Sequence, residues 1–150
     1  MTHLLMVYGA VLLLDRITKL WAVAHLSLGM SIPVVPFLHL TLVHNHGAAF
    51  GLFVGLGPLL VLVRLVVSAG VFIVARRLPN ANLALLLGLG LVGAGAAGNL
   101  VDALAYGYVV DFLDIRVWPV FNVADMAIVS GSVLLAWQLV LHERGGGLGS

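Results

Sequence analysis

Long apolar runs separated by short polar interruptions make up most of this chain, and four of the runs are long enough to cross a bilayer. A helix needs about 20 apolar residues to span the hydrocarbon core. The pattern predicts helices over about Leu4–Ala24, Pro58–Leu78, Asn82–Val101 and Phe121–Leu141. Pro58 suits a helix start, where its missing N–H would have no partner in any case. Residues 79–81, with Pro79 and Asn80, read as a tight turn, whereas residues 25–57 and 102–120 are long connections. In the first of these, Phe37 to Val43 alternates, with His39 and Thr41 on one face and Leu38, Leu40 and Leu42 on the other. That period predicts a strand lying at the membrane surface, and Asn45-His46-Gly47 then reads as a turn. Residues 145–150 read as a flexible Gly-rich tail behind a single domain over residues 1–144.

Composition agrees with a membrane protein. The chain has 150 residues, 62% of them hydrophobic and 9% charged, where a soluble domain carries about 25% charged residues. Cysteine is absent, which excludes disulfides, thiolate chemistry and cysteine metal sites. A formal charge of +1 without a basic run gives no case for nucleic acid. Leu4–Leu14 followed by Ala22-Val23-Ala24 has some look of a cleaved signal peptide. However, the basic leader is missing and Asp15, Arg16 and Lys19 interrupt the path, so the segment is read as a retained first helix. Arg76, Arg77 and Arg144 fall on one side and only Arg116 falls in the long connections. By the positive-inside rule both termini are then cytoplasmic and both long connections face outward.

Against this background Asp111 and Asp125 stand out. A carboxylate at bilayer depth costs several kcal/mol, roughly, unless it is paired, hydrated or protonated. Two brought together can share one proton and activate a water. Asp111 is expected in the second outer loop. Asp125 is expected about one turn inside the fourth helix, roughly 6 Å below its start, with Asn122 on the same helical face. Asn99 and Asp102 repeat that spacing at the outer end of the third helix, and Asn45 reaches the same level from the first loop. Asp15 and Lys19, four apart in the first helix, read as an internal ion pair. Gly90, Ala94 and Gly98 form a small face on the third helix that would bring its polar end close to the fourth. Asp114 reads as a cap or solvated loop residue. His44 and His46 read as loop or surface residues, since nothing completes a metal-ligand set around them. Arg64, deep in the second run, is expected to face the bundle or a polar cavity.

Five blocks occur in order: Asp15-Arg16-Ile17-Thr18-Lys19, Asn45-His46-Gly47-Ala48-Ala49-Phe50-Gly51, Gly98-Asn99-Leu100-Val101-Asp102, Val109-Val110-Asp111-Phe112 and Phe121-Asn122-Val123-Ala124-Asp125. Together they resemble the signature of signal peptidase II, the bacterial lipoprotein signal peptidase family. The resemblance implies an all-α membrane protein with four transmembrane helices, a small extracytoplasmic β-sheet and a short helix in the second outer loop. It implies an aspartic endopeptidase of the bacterial cytoplasmic membrane, with Asp111 and Asp125 as the catalytic pair and no metal or organic cofactor. Its active-site shell would take in Asn45, Gly47, Asn99, Asp102 and Asn122, supported by Asp15 and Lys19. The substrate would be a prolipoprotein cut just before its diacylglyceryl-modified cysteine, met by a monomer among membrane lipids. One departure is visible: the family usually carries Arg after the Asp of the Gly-Asn-x-x-Asp block, where this chain has Ala103. Arg116 or Arg64 would be the candidates to compensate.

Two other classes fit the residues less well. An ion-coupled transporter would place carboxylates near the midplane and show an internal repeat, and no repeat is visible. A non-catalytic assembly subunit would use the small face of the third helix as its interface, and its aspartates would be dispensable.

Overall fold

The computed structural model describes residues 1–47, 57–78 and 80–146. Ala48-Ala49-Phe50-Gly51, Pro79 and residues 147–150 lie outside them, and so do the parts of the expected signature, turn and tail that fall there. Four helices and three strands follow in the order α1 (Thr2–His25), β1 (Ser31–Val35), β2 (Leu38–Asn45), α2 (Gly57–Arg77), α3 (Leu83–Tyr106), β3 (Val109–Asp114) and α4 (Val123–Gly146). Helices α2, α3 and α4 are each long and apolar enough to cross a membrane. Helix α1 has the length, with Asp15, Arg16 and Lys19 interrupting its apolar surface.

The bundle is organised around α3. Its N-cap is Asn82, whose side chain accepts from the Leu85 N–H at 2.9 Å, and it ends at Gly107 in the left-handed conformation (φ 76°) that glycine adopts without strain. Each of the other three helices packs on it. Small residues permit this. A side chain at Gly90 would meet Leu4 and Val7 of α1; one at Gly93 would meet Val71 of α2; and one at Gly88 or Gly95 would meet α4. The Gly90–Ala94–Gly98 stripe therefore serves α1 more than the fourth helix. Only its Gly98 end also touches Ala124 of α4, and contact with α4 rests mainly on the separate pair Gly88 and Gly95. A helix with three neighbours needs close approach on three faces, which one stripe cannot supply.

The strands form one antiparallel sheet in the order β1-β2-β3 at the α1–α3 C-terminal end of the bundle. Strand β2 keeps the alternation expected of it: Thr41 bonds Ser31 and Asp114, while Leu42 is buried over Ala22, Leu26, Val110 and Phe112. Strand β3 replaces the short helix expected in the second connection, for no helix forms between Gly107 and Asn122. The β-branched run Val109-Val110 pairs with Asn45 and His44 of β2, which satisfies its backbone in the sheet. At the far end of the chain α4 continues to Gly146, so the first two glycines of the expected tail are helical.

Candidate active site

Strand β3 and the start of α4 are joined by backbone bonds that determine the site. The N–H groups of Phe112 and Leu113 donate to the Phe121 carbonyl at 3.0 and 2.8 Å, and the Phe121 N–H donates to the Leu113 carbonyl at 2.9 Å. This closure brings Asn122 against Asp111. Asn122 then starts α4 with a reciprocal cap. Its Oδ1 accepts from the Asp125 N–H at 2.9 Å, and Asp125 Oδ2 accepts from the Asn122 N–H at 3.2 Å. That is the capping-box arrangement, built from Asn and Asp. Asp125 accordingly lies in the first turn of α4, not a turn deeper, and Asp111 lies on a strand, not in a loop.

Amides link the two carboxylates. Asn122 Nδ2 donates to Asp111 Oδ1 at 2.7 Å and also approaches Asn99 Oδ1 and the Val110 carbonyl at 3.0 and 3.2 Å, so two hydrogens serve three acceptors. Asn99 Nδ2 donates to Asp125 Oδ1 at 2.8 Å. Asn45, at the end of β2, donates to Asp111 Oδ2 at 2.9 Å, and its own Oδ1 accepts from the Gly47 N–H at 2.9 Å. That turn places Gly47 at φ 89°, a region glycine enters freely, with Leu60 of α2 in the space a Cβ would need. Asp111 is 1% exposed, while Asp125 is half-buried. Burial pushes the Asp111 carboxyl up to about 7, and the charge of Asp125 adds to the effect. Hydrogen bonds from Asn45 and Asn122 and the charge of Lys19 act in the opposite direction.

Beneath this pair lies a second layer of charge. Lys19 Nζ lies 2.9 Å from Asp15 Oδ2 and 3.0 Å from Asp102 Oδ2, and donates to Asn99 Oδ1 at 2.9 Å. The contact with Asp15 Oδ2 is an ion pair without hydrogen-bond alignment. Asp15 Oδ1 accepts from the Ala124 N–H at 2.9 Å, which closes a second backbone donor at the start of α4. Asp102 sits inside α3, accepts from the Val110 N–H at 3.1 Å and is paired with the Arg16 guanidinium. The expected Asp15–Lys19 pair is thus present, and it bonds its neighbours. The cations paired with Asp102 are Arg16 and Lys19, both from α1, and neither Arg116 nor Arg64. Sequence reading missed Arg16, although its place between Asp15 and Lys19 was a signal that this helix carries two cations.

The remaining polar residues take other roles. Arg116 donates to Asp114 from its backbone and from its guanidinium, at 2.8 and 3.3 Å, and Thr41 donates to the same carboxylate at 2.8 Å. Burial works to raise the Asp114 carboxyl, but these donors and the Arg116 charge outweigh it and hold the group below its usual value. Asp114 is buried at the end of β3 and caps the Arg116 N–H, so its reading as a cap holds and its reading as a solvated residue does not. His44 stacks on Tyr108 with ring centroids 3.9 Å apart, and His46 meets the same ring edge-on at 5.6 Å.

The chain is similar to known proteins. The signal peptidase (SPase) II family matches residues 7–141. The lipoprotein signal peptidase of Moorella thermoacetica is 48% identical over 132 residues, covering 87% of this chain and 88% of the relative. That of Pelotomaculum thermopropionicum is 49% identical over 138 residues, covering 91% of each. Among solved structures, a bacterial membrane enzyme determined by the in meso method superposes with a TM-score of 0.86 at 28% identity, over 97% of this chain and 92% of that one. A second bacterial membrane enzyme gives 0.82 at 29% identity, over 93% of each chain. With the family matched across nearly its whole length, the chain belongs to the signal peptidase II family.

Proposed function

We propose that this protein is an aspartic endopeptidase of the bacterial cytoplasmic membrane. It removes the signal peptide from diacylglyceryl-modified prolipoproteins by cutting before the lipidated cysteine. The observation that carries the reading is the pair Asp111 and Asp125, bound to each other through the amides of Asn122 and Asn99. The curated relatives are lipoprotein signal peptidases, and the substrate class is carried over from them.

The chemistry follows from the pair. Two close carboxylates resist simultaneous ionisation, so one keeps a proton. Asp111, the more buried of the two, is assigned that proton, and Asp125 faces the water. Asp125 takes a proton from the water as its oxygen bonds to the scissile carbonyl carbon, and Asp111 gives its proton to the carbonyl oxygen. The tetrahedral intermediate then collapses. Its C–N bond breaks, the proton held by Asp125 passes to the leaving amine, and a hydroxyl proton returns to Asp111. Water and the two carboxylates suffice for the step. Asn45, Asn99 and Asn122 orient the carboxylates without neutralising them.

In this reading α1 is a fourth membrane span. Its three charges are matched internally, Lys19 with Asp15 and Arg16 with Asp102, which lowers the cost of placing them in lipid. Arg76, Arg77 and Arg144 put both termini in the cytoplasm and the sheet at the outer face. A lipidated cysteine sits at that depth with its acyl chains in the outer leaflet. The enzyme is proposed to act as a monomer.

The test uses purified enzyme with a lipidated prolipoprotein and with its unlipidated precursor. Cleavage of the lipidated form alone is expected. Asp111→Asn and Asp125→Asn should each lower the rate by about 10³-fold or more while the protein stays folded. Wild-type activity in either variant removes the pair from the mechanism.

A further inference from the structure

Helices α2 and α4 both pack on α3 and make no extended contact with each other. At the end away from the sheet, between α2 and α4, lies a largely apolar cavity of about 850 Å³, lined by residues such as Val74, Leu78, Leu85, Leu135 and Leu139. Toward the sheet end α2 carries Arg64. Leu60, Arg64, Ser68, Val71 and Ala75 follow one another at helical spacing and form a single stripe on α2. Three contacts fix that stripe. Leu60 fills the space above Gly47, Ser68 Oγ hydrogen-bonds the Tyr8 hydroxyl at 2.6 Å, and Val71 packs into the gap left by Gly93.

Depth along the bundle follows from these contacts. Arg64 lies seven residues, or about 10.5 Å, nearer the sheet end than Val71. On the antiparallel α3 the same step from Gly93 leads to the neighbourhood of Asn99. Ala124 of α4 abuts the Gly95 and Gly98 positions, so Asp125 stands at this level too. The carboxylates that act most on Arg64 are Asp125, then Asp111, then Asp102. Yet the half-buried guanidinium makes no hydrogen bond or ion pair with any described residue, whereas Arg16 and Lys19 are both paired.

We propose that Arg64 is a substrate-binding residue that donates, from the α3-facing stripe of α2, to main-chain carbonyls in the last turn of the signal-peptide helix. The proposal rests on the endopeptidase reading above and adds a contact to it. A helix leaves its final four carbonyls unpaired, with the negative end of its dipole beside them. In hydrocarbon no water is present to satisfy those groups. A peptide bond must leave the helix to be cut, so the unpaired turn arrives at the depth of the two aspartates. A guanidinium offers five donors in a planar fork and stays charged there. The apolar cavity accepts the rest of the rod.

Steady-state kinetics of wild type, Arg64→Met, Arg64→Gln and Arg64→Lys on a lipidated prolipoprotein, in nanodiscs of neutral and of anionic lipid, test this. Arg64→Met is expected to raise KM about ten- to a hundredfold with kcat nearly unchanged, the pattern of lost ground-state binding. Lys should recover part of the loss. An unchanged KM, a defect confined to kcat, or a KM defect seen only with anionic lipid overturns the assignment. If the Met variant fails to fold, Arg64→Gln decides by the same criteria. Asp111→Asn and Asp125→Asn are assayed alongside. If either retains activity, the endopeptidase reading itself falls; if both are dead while the Arg64 variants keep the wild-type KM, only the Arg64 contact falls.

Discussion

Two layers of carboxylates lie a few residues apart in this bundle and are held in opposite ways. In the deeper layer Asp15 and Asp102 meet Lys19 and Arg16, so two negative charges face two positive ones. In the layer toward the sheet Asp111 and Asp125 meet, among the described residues, only amides and backbone N–H groups. An amide orients a carboxylate without cancelling its charge, and the repulsion between the two aspartates survives. A cation cancels the charge and fixes the ionised form. The difference separates carboxylates that hold the fold from carboxylates free to trade a proton.

The contrast breaks most severely at Lys19. Lys19→Met leaves Asp15 and Asp102 buried with one cation fewer, and removal of one partner from a buried pair costs about 3–5 kcal/mol. Thermal unfolding in detergent should show a large fall in Tm, and a variant of wild-type Tm would mean the deeper layer is not load-sharing. The upper layer should respond to pH instead. Asp111 titrates at about 7 in the folded protein against 3.8 as a free side chain. Between those values the folded state holds a proton that the unfolded state has released. Its contribution to stability is therefore greatest at low pH and is lost as pH rises through 7. The activity assigned to the pair should fall on the alkaline side near the same value, roughly tenfold per pH unit once the shared proton is gone. A flat profile between pH 6 and 9 would contradict this.

Smaller effects sharpen the same comparison. Gly95→Ala drives a methyl against the Ala124 carbonyl and Ile128, which would push α4 away from α3. Overpacking of this kind costs about 1–3 kcal/mol. Because Asp125 lies in the first turn of that helix, activity should fall further than Tm alone accounts for. Asn122→Ala removes the cap and should cost about 1 kcal/mol of stability. Loss of its bonds to Asp111 and Asn99 should appear in kcat. Equal effects of Asn122→Ala on both layers would blur the distinction drawn here.

Local patterns were legible in the sequence, and long-range partners were not. The apolar runs located all four helices, and the alternation over Phe37–Val43 located β2, because both periods are written within a few residues. Asp15 with Lys19 was readable for the same reason. Strand β3 escaped because it is buried on nearly every residue, and a short apolar run without alternation does not distinguish strand from helix end. The choice of Arg16 as partner for Asp102 spans 86 positions of the chain, and no spacing rule reaches that far. The small stripe on α3 showed that a neighbour approaches closely but not which neighbour. The reciprocal cap of α4 was hidden because Asn122 and Asp125 were placed on one helical face, when Asn122 stands just outside the helix.

That cap couples architecture to chemistry in a way that constrains any redesign. Asp125 closes the first turn of the helix that carries it, and Asp15 closes another donor of the same turn from α1. The reactive oxygen therefore cannot be moved without reopening a helix end inside the membrane. Inserting one residue between Phe121 and Asn122 would leave the cap within residues 122–125 intact but rotate the helix start by about 100° relative to β3 and α1, pulling Asn122 from Asp111 and Ala124 from Asp15. Loops elsewhere in such an enzyme can vary in length, but this junction has to be inherited at fixed length.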